Sequence, residues 1–115
     1  MINKSVTKQI AHLCSRIKDR ILVLDGAMGT MLIQENLDEN DYRGERFKDH
    51  PLPVKGMYDL LNLTKPEIID KIHEQYLAAG ADIVTTNSFN ANYFGLKEFG
   101  LEEYVYEINY RAAQL

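Results

Sequence analysis

Two short runs of strand-forming residues, separated by one helical stretch, constrain this chain more than any other feature. Ile21-Leu22-Val23-Leu24 is a continuous apolar run of the kind buried on both faces of a parallel sheet, and it ends at Asp25-Gly26. Ala81-Asp82-Ile83-Val84-Thr85-Thr86 is a second, β-branched run. Between them Ile68, Ile69, Ile72, Tyr76 and Leu77 share one apolar stripe at helical spacing, and Gly80 stops that helix. Thr64-Lys65-Pro66-Glu67 ahead of it has the spacing of a capping box, with Thr64 as N-cap and Pro66 in the first turn. Strand, helix, strand is the crossover that joins parallel strands, so the expected class is α/β. Two parallel strands cannot cover their own edges, so the chain reads as the front end of a larger α/β unit.

The flanking segments fit that outline. Val6, Ile10, Leu13, Cys14 and Ile17 predict an amphipathic helix over about 5–18, with Cys14 as a buried thiol. Leu101, Tyr104, Val105, Ile108, Ala112 and Leu115 predict a last helix. Residues 34–56 are polar and punctuated by Asn, Asp, Gly and Pro. That is a long structureless connection, of a length more often functional than idle. Within it, Asp41-Tyr42-Arg43-Gly44-Glu45-Arg46-Phe47 alternates charges and aromatics and reads as a solvated loop.

Composition removes several function classes. A formal charge of −4 on 115 residues gives no general affinity for nucleic acid. No apolar run approaches the roughly 18 residues that span a bilayer, so no membrane partner is expected. One cysteine makes no internal disulfide, and the default location is cytoplasmic. His12, His50 and His73 have no metal-ligand spacing, so no metal site is expected within the segment.

The residues best placed for chemistry lie after the two strands, where α/β folds bind ligands. Asp25 ends the first strand, and Gly26 and Gly29 let backbone approach a ligand closely. Such a carboxylate with exposed amides could hold both ends of an amino acid, although Asp-Gly also serves as a plain turn. After the second strand Asn87, Ser88 and Asn90 offer neutral donors and acceptors, and Phe89 an apolar wall. An Asn-rich turn accounts for the same residues.

Taken together, ILVLDGAMGTMLIQ, DYRGERFKDH and AGADIVTTNSFNAN resemble the start of the homocysteine-binding module of cobalamin-dependent methionine synthases. The DGxxGT and TNSFxA patterns are shared with homocysteine S-methyltransferases at large, and the DYRGERF segment favours the cobalamin-dependent branch. The resemblance implies the N-terminal portion of a (β/α)8 TIM barrel, with a leading helix over 1–19, two strands and two following helices. Residues 1–115 would then be a partial homocysteine-binding domain. It also implies transfer of a methyl group from methylcobalamin, recharged by methyltetrahydrofolate, to the zinc-activated thiol of homocysteine. Asp25, Gly26, Ala27, Asn87, Ser88 and Phe89 match the substrate-facing positions. The zinc cysteines of the family match nothing here, and the implied partners are the rest of the barrel and the folate- and cobalamin-binding modules. On that reading the segment alone is inactive. The alternatives are a cobalamin-independent homocysteine S-methyltransferase and a truncated, non-enzymatic binding module.

Overall fold

The computed structural model describes residues 4–115, so residues 1–3 of the expected leading segment lie outside the described residues. Helix α1 spans Lys4–Arg16, α2 Met28–Gln34 and α3 Glu39–Arg43. A 3-10 turn, Tyr58–Leu60, runs into α4, Leu61–Thr64, and α5 follows at Pro66–Ala78. Helix α6 is Tyr93–Lys97, and a second 3-10 turn, Glu102–Tyr104, leads into α7, Val105–Ala112.

The expected α/β class, an incomplete barrel with two strands, is corrected by this structure. Among the described residues the fold is helical and no sheet forms. The two strand-like runs do meet in parallel, but only at one bridge, Leu24 with Ile83. Asp25 N–H donates to Ile83 O at 2.9 Å and Ile83 N–H to Val23 O at 3.3 Å. The reason the ladder goes no further is visible at each end. The next rung on one side needs the Thr85 amide, which donates instead to Asp25 Oδ2 at 2.9 Å. On the other side the Val23 amide donates to Asp82 Oδ2 at 2.9 Å, and Arg20 pairs with that same carboxylate. Two aspartates thus intercept the donors that would extend the pair. Ile21, Val23 and Leu24 are exposed rather than buried on both faces.

The buried centre lies elsewhere, and much of it comes from the segment expected to be structureless. Tyr42, Phe47, Val54 and Met57 are at most 4% exposed, and they pack with Leu32 of α2, Ile69 and Ile72 of α5 and Ile108 of α7. Segment 39–55 can fold this way because its backbone is tied to charged side chains. Arg43 donates to His50 O at 2.6 Å, Leu52 O at 3.1 Å and Glu39 Oε1 at 2.7 Å. Glu39 in turn accepts from the Val54 and Lys55 amides. Asp38 and Asp41 cap α3 reciprocally. Arg46, read as solvated, holds Glu107 of α7 through two bonds and lies over the rings of Phe47 and Tyr104.

The three expected helices form as α1, α5 and α7, while α2, α3, α4 and α6 were not expected, and Leu77 of the expected α5 stripe is exposed. Lys65, not Thr64, is the N-cap of α5, because the Thr64 hydroxyl turns back to Leu60 O. Cys14 is exposed, since α1 leaves its apolar stripe uncovered: Val6, Ile10 and Ile17 are also exposed. Gly80 ends α5 with φ +108°, a backbone region that suits glycine.

Candidate functional site

A cavity of about 740 Å³ opens between three stretches far apart in sequence. Gly26, Met28 and Gly29 form one wall, Tyr58 and Asp59 the back, and residues 85–90 the other wall. The volume is that of a small-molecule site. Gly26 stands close to Tyr76 of α5, where an added Cβ would lie 3.1 Å from the phenol oxygen. The Tyr76 hydroxyl donates to Ala27 O at 3.1 Å, which holds the turn leading into α2.

The second wall is held from behind by buried polar groups. Asn62 Nδ2 donates to Asn87 O at 2.7 Å, and Asn87 Nδ2 donates to Tyr58 O at 2.8 Å and to Asn62 Oδ1 at 3.1 Å. Asp59 Oδ1 accepts from the Asn90 amide at 3.0 Å. Asn109 of α7 donates to Ala91 O at 2.6 Å. Asn62 is fully buried, and Asp59 and Asn87 nearly so. Burial pushes the Asp59 carboxyl up from its ordinary value, beyond what the Asn90, Asp59 and Ala91 amides draw back.

The structure gathers four of the six residues singled out from sequence, Gly26, Asn87, Ser88 and Phe89, into the cavity lining. They do different things there. Asn87 commits its Nδ2 group to the buried network, donating to Tyr58 O and Asn62 Oδ1. Ser88 pairs with Thr86 through their hydroxyls at 2.6 Å, which uses one of two protons and leaves the other free to donate. Phe89 is 93% exposed at the rim. Asp25 and Ala27 are not themselves lining residues but flank Gly26, which is. The Asp25 carboxylate accepts from the Thr85 amide at 2.9 Å and the Thr85 hydroxyl at 3.0 Å, joining the two walls. Asp25 is therefore a tie between segments 21–25 and 83–85.

A family model described as homocysteine S-methyltransferase matches residues 22–115. The chain belongs to the homocysteine S-methyltransferase family. The match takes in every residue of the cavity lining and of the network behind it. This is a methyltransferase domain by family, which fits a small cavity whose walls offer hydroxyl, amide and aromatic groups. Among the described residues of this homocysteine S-methyltransferase domain, no three His, Cys, Asp or Glu side chains converge to hold a metal ion. Among the same residues no helix is long and apolar enough to cross a membrane.

Tyr58, Asp59 and Asn62 were missed in sequence. The signal was present: Asp59 and Asn62 stand three apart within the apolar run Leu60-Leu61-Leu63, so helical spacing puts two polar side chains on one buried face. A buried polar pair needs partners, and residues 87–91 supply them.

Proposed function

We propose that the cavity between residues 26–29, 58–59 and 85–90 receives L-homocysteine and presents its sulfur for methylation. The observation that carries this is that the DGAMGT and TTNSFN segments, about 60 residues apart, form the two walls of one cavity within the matched stretch. Homocysteine is a zwitterion with a short thiol arm, so it needs a carboxylate partner, a donor partner and an apolar surface. Asp25 has lone pairs left after its two bonds to Thr85 and serves the ammonium. The Ser88–Thr86 hydroxyl pair keeps one proton for the substrate carboxylate. Gly26, Ala27 and Gly29 admit the backbone approach, and the Phe89 ring covers the methylene arm. Asn87 contributes by fixing the wall on which Ser88 stands.

The finer reading is a methionine synthase, supported by the DYRGERF segment shared with the cobalamin-dependent branch. In such an enzyme methylcobalamin supplies the methyl group, methyltetrahydrofolate restores it, and zinc favours the homocysteine thiolate. The described residues do not fit the zinc: no ligand cluster forms among them, and Cys14 is on α1 rather than in the cavity lining. The cavity also suits an amino acid rather than a corrin, so no step through either group is assigned to these residues. Their part is to bind and orient homocysteine, and the folate- and cobalamin-binding modules and the rest of the catalytic domain are proposed as their partners.

Calorimetric titration with L-homocysteine tests the reading. Loss of one hydrogen bond contributes about 0.5–1.5 kcal/mol, so Ser88→Ala weakens binding by roughly 2- to 12-fold with an unchanged melting temperature. Phe89→Ala weakens it with no loss of stability, since the ring is exposed. Equal affinities in wild type and both variants refute the assignment.

A further inference from the structure

We propose that Asp59 and Asn62 are positioning residues of the homocysteine site, holding residues 87–91 in the form that closes the cavity. The inference rests on the homocysteine reading for its functional half and on geometry for the rest. The segment that walls the cavity belongs to no helix or sheet, and its own backbone bonds are local turns such as Ser88 N–H to Thr86 O and Ala91 N–H to Ser88 O. Over residues 87–90 its side-chain anchors come from the turn at 58–62, while Asp25 holds Thr85 and Asn109 holds Ala91. Asn62 and Asn87 exchange amide bonds in both directions, and Asn87 also reaches Tyr58 O. Three residues further on, the Asn90 amide is taken by Asp59. Asp59 and Asn62 therefore grip the segment at two points with Ser88 and Phe89 between them, so both side chains are presented from a braced arch.

Two further observations show that the arch is set to a narrow position. Gly95 of α6 approaches Asn90 so closely that an added Cβ would lie 2.5 Å from its carbonyl oxygen. Asn109 fixes the next carbonyl, that of Ala91. The backbone at 90–91 is thus held on its donor side by Asp59 and on its acceptor side by Asn109, with Gly95 behind. A carboxylate is also a costly choice for a buried site if stability were all that mattered, since burial works against its charge. Its oxygen nonetheless accepts the Asn90 amide at 3.0 Å, a bond whose loss leaves that amide without this partner.

The test uses the full chain, with amide hydrogen exchange and homocysteine titration on wild type, Asp59→Ala and Asp59→Asn. Asp59→Ala is expected to speed exchange at Asn90 and Ala91 by tenfold or more, with α5 and α7 amides unchanged, and to weaken homocysteine binding by about tenfold. Asp59→Asn keeps one acceptor oxygen and is expected to recover part of both. A plain structural role predicts faster exchange throughout and no selective recovery, and that result overturns the proposal. So does faster exchange at Asn90 and Ala91 with unchanged affinity. If Asp59→Ala does not fold, Asp59→Asn alone gives the same two readouts. If wild type takes no homocysteine, the cavity reading fails by itself. The exchange arm then still decides whether Asp59 holds the arch, with unchanged protection overturning that claim.

Discussion

Replacing Arg43 should damage this fold more than any other single change to a charged side chain. Its guanidinium donates to His50 O, Leu52 O and Glu39 Oε1 at 2.6–3.1 Å, with two weaker bonds at 3.3 Å to Phe47 O and Lys48 O. Hydrogen bonds involving a charged group contribute about 1.5–3 kcal/mol each, and water replaces part of that on the exposed side. The net loss for Arg43→Ala is therefore about 2–4 kcal/mol. For a domain of this size that lowers the melting temperature by roughly 8–16 °C. Arg43→Lys keeps the charge but loses the planar fork that reaches several carbonyls, so it recovers less than half. Thermal melts by circular dichroism give the magnitude, and limited proteolysis locates the damage, with first cuts expected within 44–56. A loss under about 1 kcal/mol, or a lysine variant equal to wild type, would refute the claim that this side chain organises the segment.

Other expectations follow from single contacts. Gly95→Ala drives its Cβ into Asn90 O and should cost about 1–3 kcal/mol. Gly29→Ala meets only ordinary contact with Tyr58 at 3.6 Å; it should leave stability unchanged or raise it by about 0.4–1 kcal/mol while weakening homocysteine binding. Asp82 is held down to about 2, first by its bonds from Arg20 and then by the Val23 amide. Since the folded value lies below the ordinary 3.8, its contribution is complete above that pH and is lost as pH falls toward 2. Carboxyl carbon titration by NMR should find that midpoint, and a midpoint near 4 would remove the tie. Cys14 should react with a disulfide reagent in the native protein as a free surface thiol, and slow, unfolding-limited labelling would contradict its exposure.

Helices α5 and α7 were legible because their signals are local, whereas the short helices α2, α3, α4 and α6 carry too few turns to show a stripe. The stripe Ile69–Ile72 and the stripe Leu101–Ile108–Ala112 both face the core as spacing requires. The strands were misread because their apolar content was right while the fate of their backbone donors was not. Asp25 and Asp82 each carry a carboxylate that competes with the ladder, and neither periodicity nor propensity reports such competition. Segment 39–55 was misread for the opposite reason. Its polar residues looked solvated, yet Arg43 and Glu39 use their charges on loop backbone and thereby bury Tyr42, Phe47 and Val54. Gly26, Ser88 and Phe89, which follow the two apolar runs in sequence, line the cavity. Asp59 and Asn62 bond to its 85–90 wall from a 3-10 turn and α4, a stretch that carried no expectation from sequence.

The most direct test of the homocysteine site is an amide NMR titration of the chain with L-homocysteine. Binding in the cavity predicts shifts concentrated at Gly26, Gly29, Tyr58, Asp59 and residues 85–90, with α1 and the cavity lined by Leu32, Asn36 and Lys55 unmoved. Shifts that leave Gly26, Gly29 and 85–90 in place while other residues move would contradict the account.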